Sequence, residues 1–194
     1  MSDIDAHRWN RRYADRGPVQ LSEAALPAPF AEFADAFPST GLALDLACGR
    51  GGAAVWLARR GMMVQGYDVS AVAVGQARNL AGLAGCAERC RFDVADLDAG
   101  FPPGPCVDVL VAGLFRDARL DAEMISRVAP AGLLAVSALS EVGAAPGRFR
   151  AAPGELTRAF AALDLLGCGE SSGVAWLIAR KPALAKIDRC KTSR

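Results

Sequence analysis

The sequence predicts an α/β domain in which a mostly parallel sheet carries helices on both faces, and three observations lead to it. Short apolar runs alternate with helix-forming stretches from Leu42 to Arg180. The first run, Leu42-Ala-Leu-Asp-Leu-Ala-Cys-Gly-Arg-Gly-Gly52, breaks into a glycine turn and passes straight into helix formers. The second begins at Met62 and ends in Asp68, about twenty residues after that turn, where a strand following a crossover helix ends.

In chain order, a helix is expected over 4–14 with Ser2 or Asp3 as its cap, then a connector over 18–29 and a helix over 30–37. After the first strand the pattern gives helix 52–60, strand 63–67, helix 71–83, strand 91–94 and strand 107–112. Helix 120–128, strand 133–139, helix 154–163 and closing strands 165–170 and 175–180 complete it. Glu170-Ser-Ser-Gly173 reads as a hairpin turn, which makes the last pair antiparallel. Right-handed crossovers bring the glycine turn and Asp68 to the carboxyl edge of one sheet.

At 194 residues, 52% of them hydrophobic, the chain fits one domain with a sizeable core. Its formal charge of +1 gives no argument for nucleic acid or an acidic membrane surface. Six basic residues from Arg180 to Arg194 face one acid, Asp188, and read as a solvated tail or a contact for an anionic partner. The first residues lack the apolar core of a signal peptide, and no stretch approaches the roughly twenty apolar residues that cross a bilayer. A cytoplasmic monomer with a small-molecule partner is expected. The six cysteines lack CxxC spacing, so no metal site or disulfide framework is expected. Cys86 and Cys90 could share a helix face and read as small buried hydrophobes.

Gly49 and Gly51 leave the main chain bare, so a ligand can lie against it beside the free N–H groups of the following helix. Asp68, at an exposed strand end, can accept hydrogen bonds from both hydroxyls of a ribose, or simply cap the next helix. Gly49-x-Gly51-x-x-Ala54 fits a dinucleotide fingerprint, which keeps an NAD-dependent oxidoreductase open. Against it stand Asp45 inside the first strand, the chain length, and the lack of Lys four positions after Tyr13 or Tyr67.

Asp45-x-Ala47-x-Gly49-x-Gly51 resembles motif I of the class I S-adenosylmethionine-dependent methyltransferases, acid-x-Gly-x-Gly-x-Gly, with Ala47 at the first glycine and Cys48 a common companion. Asp68 matches the family's ribose acid, and Val69-Ser70 resembles its Asp-x-Ser step. Phe92-Asp-Val-Ala-Asp96-Leu-Asp98 is similar to the segment whose acid binds the adenine amino group. Asp96 takes that role, with Asp93 and Asp98 as rivals, and Leu97 covers the ring. Val128-Ala-Pro-Ala-Gly-Leu-Leu134 resembles the family's Pro-Gly-Gly-x-Leu turn before the fifth strand, with Ala131 in place of the first glycine. Trp9-Asn-Arg-Arg-Tyr13 resembles the opening of small bacterial tellurite-resistance and thiopurine-type enzymes, and the stretch from Pro153 to Pro182 resembles their tail. The likeness runs over 5–182.

The resemblance implies a Rossmann-like methyltransferase fold with a seven-stranded sheet and a C-terminal antiparallel strand. It divides the chain into a helical lid over 1–37, a cofactor-binding core over 38–182 and a basic tail over 183–194. It implies S-adenosylmethionine, held by Asp45, Ala47, Cys48, Gly49, Gly51, Asp68, Val69, Asp96, Leu97 and Tyr13. For Asp45 the residues favour hydrogen bonding to loop amides. Trp9 and Tyr13 share a helical face that either docks the helix or closes it as a lid over the cofactor. Arg50 either meets the methionine carboxylate or points to solvent. Gly113-Leu-Phe-Arg116 either supplies Phe115 and Arg116 to an acceptor pocket, beside Trp9, or is a plain connection with Asp117 as N-cap. Segment 140–152 reads as a flap whose Arg148 and Arg150 either favour an anionic acceptor or are solvated.

A sulfonium methyl is already electrophilic, so transfer asks for alignment and exclusion of water, and a soft anionic acceptor needs no base. No catalytic residue is assigned. Asp117, Glu141 and Glu155 are the acids available to an oxygen or nitrogen acceptor, and His7 lies in the first helix. The expected function is methyl transfer from S-adenosylmethionine to a small molecule. Ala47 and Ala131 leave open a non-catalytic binding protein of the same fold.

Overall fold

A computed structural model describes residues 3–147 and 150–183. The strands are β1 (Leu42–Leu46), β2 (Met63–Asp68), β3 (Cys90–Val94), β4 (Val107–Ala112), β5 (Val128–Ser140), β6 (Arg150–Ala151), β7 (Asp164–Ser171) and β8 (Val174–Arg180). They form one sheet in the order β3-β2-β1-β4-β5-β8-β7, with β6 paired to β5 off this path. Only β8 among them runs against the others, pairing antiparallel with β5 and β7. The order steps outward from β1 to β3 and then returns to β4. The carboxyl ends of β1 and β4 therefore flank a switch point, where α/β sheets bind ligands.

Helices α1 (Asp3–Ala14), α2 (Gly52–Arg60), α3 (Ala71–Leu83), α4 (Asp121–Arg127) and α5 (Glu155–Ala159) fill the connections. On one face, Ala43, Val64, Phe92, Val109 and Ile178 of the sheet meet Val55, Leu57, Ala77 and Leu80 of α2 and α3. Phe30 and Phe37 join that core, so the chain ahead of β1 is part of it. On the other face, Leu44, Leu46, Leu110 and Leu177 meet Met124, Leu156 and Phe160. Period-two alternation along the strands produces this division.

Several expectations change. The sheet has eight strands rather than seven, because β5 is long enough for Arg150 and Ala151 to pair with Leu139 and Ser140. β5 also starts earlier than position 133: Val128 pairs with Val107 and Leu133 with Val109, so residues 129–132 form a bulge within the strand. The second helix is a 3-10 segment, Ala28–Ala36, interrupted at Phe33, whose ring packs on Trp176 at 5.7 Å. α5 stops at Ala159, where Phe160 turns into the core. Cys86 and Cys90 share no helix, since the turn Ala87–Arg89 separates them and Cys90 opens β3. Ser2, Arg148 and the tail over 184–194 lie outside the described residues. Among the described residues no helix is long and apolar enough to cross a membrane.

Candidate active site

Two turns meet at the carboxyl edge beside the switch point. The first leaves β1 through Ala47 (φ 52), Gly49 (φ 53) and Gly51 (φ 80), all left-handed. The Cys48 N–H donates to the Tyr67 carbonyl at 2.9 Å and the Gly51 N–H to the Cys48 carbonyl at 2.9 Å, folding the loop onto β2 and itself. Glycine is needed at 51, where a Cβ would come within 2.8 Å of Ala77 Cβ. Ala47 carries its Cβ in this region, as does Ala131 (φ 64), at a cost of about 1 kcal/mol each. Both replacements for family glycines thus keep the glycine-like backbone.

Two carboxylates lie beneath the loop. Asp45 is buried, and its Oδ2 accepts the Ala54 N–H at 3.2 Å, which ties β1 to the first turn of α2. Burial pushes its carboxyl up to about 7, against the pull of that hydrogen bond. Asp68 accepts the Gly49 N–H on Oδ2 and the Ser70 N–H on Oδ1, both at 2.8 Å. It is only 5% exposed, not the open strand end expected, and burial raises its pKa against those two bonds.

The N-terminal segment supplies the roof. Asn10 Oδ1 accepts the Ser70 hydroxyl at 2.7 Å and the Val72 N–H at 3.3 Å. Gln76 Nε2 donates to the carbonyls of Tyr13 at 3.0 Å and Gly17 at 3.4 Å. These contacts lay the Tyr13 hydroxyl over Gly49, where a Cβ would be 2.8 Å from it. Burial first, then the charges of Asp68 and Cys48, push the phenol up to about 12, so it stays protonated. Trp9 stacks on Tyr13 at 5.8 Å. Arg50 takes neither expected direction: buried, it pairs with Glu23 at 3.0 Å and donates to the carbonyls of Arg16 and Gly17.

Val69 lies half-buried between Asp68 and Ser70. The Ala95 N–H donates to the Asp68 carbonyl at 3.0 Å, which brings the next turn alongside. There Asp96 Oδ1 accepts the Asp98 N–H at 2.9 Å, and Leu97 is buried. The structure therefore gathers Asp45, Ala47, Cys48, Gly49, Gly51, Asp68, Val69 and Tyr13, with Asp96 and Leu97 on the adjoining turn.

The second turn leaves β4. Phe115 packs on the core and Arg116, its side chain 7% exposed, is bidentate on Asp121 at 2.5 and 2.9 Å and bonded to Glu155 at 2.7 Å. Trp9 belongs to the roof, apart from this pair in the chain. Against burial, the Ala152 N–H and Arg116 hold Glu155 below the usual carboxylate range, and Arg119 does the same to Asp117. Neither acid is tuned as a base. Arg150 donates to the carbonyls of Ser140 at 2.6 Å and Gly173 at 3.3 Å, pinning the flap. Sequence reasoning passed over Asn10, which sits inside the Trp9–Tyr13 motif, and Ser137, a lone hydroxyl in an apolar strand.

Residues 43–132 match the family model described as a methyltransferase domain. Solved structures similar to this chain include TehB from Haemophilus influenzae, at 18% identity and TM-score 0.69, covering 80% of this chain and 62% of that one. An S-adenosylmethionine dependent methyltransferase from Mesorhizobium loti aligns at 17% identity and TM-score 0.66, over 84% of this chain and all of the other. DhpI in complex with SAH aligns at 22% identity and TM-score 0.58, over 91% and 95%. At these identities the likeness is one of fold, and the chain spans less than two thirds of TehB. No curated protein matches it in sequence. The residues present fit the cofactor: each Asp68 oxygen holds one amide and keeps a lone pair for a ribose hydroxyl.

Proposed function

We propose that the chain is an S-adenosylmethionine-dependent methyltransferase that acts on a small-molecule acceptor. The observation that carries this is the roof: Tyr13 over Gly49, Asn10 on Ser70 and Arg50 on Glu23 lay the N-terminal segment across the crevice at the glycine loop. When bound, S-adenosylmethionine supplies an electrophilic methyl group, and the chain has to align the acceptor and exclude water. In this reading Asp68 orients the ribose, while Asp96 and Leu97 take the adenine on the turn beside Val69. Ala47, Cys48, Gly49 and Gly51 back the methionine end, and Tyr13 donates a hydrogen bond to its carboxylate. Asp45 is a positioning residue that acts through the Ala54 amide.

Calorimetric titration with S-adenosylmethionine, S-adenosylhomocysteine and NAD tests the cofactor half. Micromolar binding of the first two without NAD is expected, and binding of NAD alone overturns it. Incubation of cell extract with labelled donor tests the acceptor half. Label is expected in the ultrafiltrate, and label confined to protein or nucleic acid overturns the small-molecule reading.

A further inference from the structure

Four acidic groups converge under the β1 turn. Asp45 is in register with Gly66 of β2 and Val111 of β4. A Cβ on Gly66 would stand 3.1 Å from Cys48 Sγ, so the thiol lies over β2 beside Asp45. Asp68, which ends β2, holds the Gly49 N–H, and the Tyr13 hydroxyl covers Gly49. Each group feels the others: Asp68 raises the pKa of Asp45 and of Tyr13, and both aspartates raise that of Cys48.

Three arginines lie nearby, and none neutralises this floor. Arg50 pairs with Glu23 and donates to the carbonyls of Arg16 and Gly17. Arg16 is 4.0 Å from Glu23, and Arg12 sits 5.2 Å over the Trp9 ring. Arg12 and Arg16 pull on Tyr13, but no cation among the described residues shifts Asp45, Cys48 or Asp68. β4 offers Asp45 only Val111, and α2 the Ala54 amide.

Burial, before any other cause, keeps Tyr13 and Cys48 protonated, so charge on the floor rests with the two carboxylates. Asp68 is held by two amides at 2.8 Å, which favour its anion, whereas Asp45 has the Ala54 amide at 3.2 Å. Asp45, raised by burial to about 7, is therefore the group whose proton moves when charge arrives above it. S-adenosylmethionine and S-adenosylhomocysteine differ by a methyl group and one positive charge on sulfur. A buried carboxylate tells them apart, because a nearby cation favours its ionised form and a neutral atom only desolvates it.

We propose that Asp45 senses the charge of the cofactor: the crevice takes up S-adenosylmethionine with loss of the Asp45 proton to solvent, and S-adenosylhomocysteine without it. The inference rests on the cofactor reading above and adds a residue that separates donor from product. Its sign follows from linkage. The ionised form binds the cation, so donor affinity rises with pH up to about 7 while product affinity does not.

The test is calorimetric titration of the full chain near pH 6.5 in phosphate and in imidazole, whose different heats of ionisation report the protons exchanged. Below about pH 7 the ligands' own amines stay charged. For about a tenfold preference of the ionised floor for the cation, S-adenosylmethionine is expected to release about half a proton and to bind about fourfold tighter at pH 7 than at pH 5.5. S-adenosylhomocysteine is expected to release none. Sinefungin, with an ammonium in place of the methylsulfonium, is expected to release the proton too, which tests the charge without any substitution. In Asp45→Asn the release is expected to fall below about 0.1 proton and the pH dependence to flatten. An aspartate that only held the Ala54 amide would, on substitution, weaken both ligands alike and leave the proton count in place. His7→Gln, at an exposed position on α1, retains the release. Overturning results are equal release with both ligands, no release with S-adenosylmethionine or sinefungin, release that survives in the Asp45 variant, or release lost in the His7 variant. Failure of the wild type to bind S-adenosylmethionine and S-adenosylhomocysteine sinks the cofactor reading too. Binding without proton exchange sinks only the role of Asp45.

Discussion

Around the β1 turn, hydrogen bonds run from main-chain amides of Gly49, Ala54 and Ser70 to two buried carboxylates, and the loop side chains are mostly small. Around the β4 turn they run between long charged side chains, Arg116 with Asp121 and Glu155, while the backbone is held by one serine. In the proposed reading the β1 turn is the donor half, shaped by backbone conformation, which few substitutions can reproduce. The β4 turn is then the acceptor half, shaped by side-chain pairing, which substitution can retune without disturbing the donor.

Five substitutions break or sharpen this contrast. The largest effect is expected from Asp68→Ala, which removes the acceptor of two amides and, in the proposed reading, of the ribose hydroxyls. S-adenosylmethionine affinity should fall about a hundredfold by calorimetry, given about 1.5–3 kcal/mol for a hydrogen bond to a charged group. A loss of less than about threefold would detach the donor half from Asp68. Next, Arg116→Ala strands two carboxylates that are largely shielded from water. It is expected to cost about 3 kcal/mol of stability in urea unfolding, with donor affinity kept. Equal loss of donor binding would mean that the halves are not separable.

Asp45→Asn keeps an acceptor for the Ala54 N–H but removes a titrating group. The wild-type carboxyl is raised to about 7, so its contribution to stability is full below about pH 4 and is lost as pH rises through about 7. The melting temperature of wild type minus variant should therefore increase by about 5 °C or more from pH 8 to pH 5. Parallel profiles would remove the buried-charge account of this strand. The smallest effect belongs to Ala47→Gly and Ala131→Gly. Each relieves a left-handed Cβ but adds chain entropy to the unfolded state, for a net gain of about 0–1 kcal/mol. Destabilisation by either would show that the methyl group packs favourably.

The same contrast explains what the sequence disclosed. Helices 52–60 and 71–83 and strand 107–112 were legible to the residue, because glycine and Ser70 punctuate them and apolar periodicity fills them. The donor motif was legible for a related reason: left-handed turns restrict residue choice, so Gly49, Gly51 and the acid ending β2 leave a pattern. The added β6 was not, since it depends on pairing with a β5 whose length is set by distant partners, and the short α5 was not, since its end is set by Phe160 turning into the core. Asp68 read as exposed because its cover comes from α1, more than fifty positions earlier in the chain. Arg116 read as a pocket cation because Glu155 lies 39 positions away. Leu114 gave no signal, since nothing in its neighbours in sequence announces its positive φ of 52.

The fastening of the roof has an evolutionary consequence. Arg50 and Gln76 grip the carbonyls of Tyr13, Arg16 and Gly17, groups that every residue carries whatever its side chain. The side chains of Arg16 and its neighbours can drift while those grips hold. Divergent relatives would then differ freely along this segment yet close over the crevice in the same way, with Arg50 and Gln76 the positions under constraint.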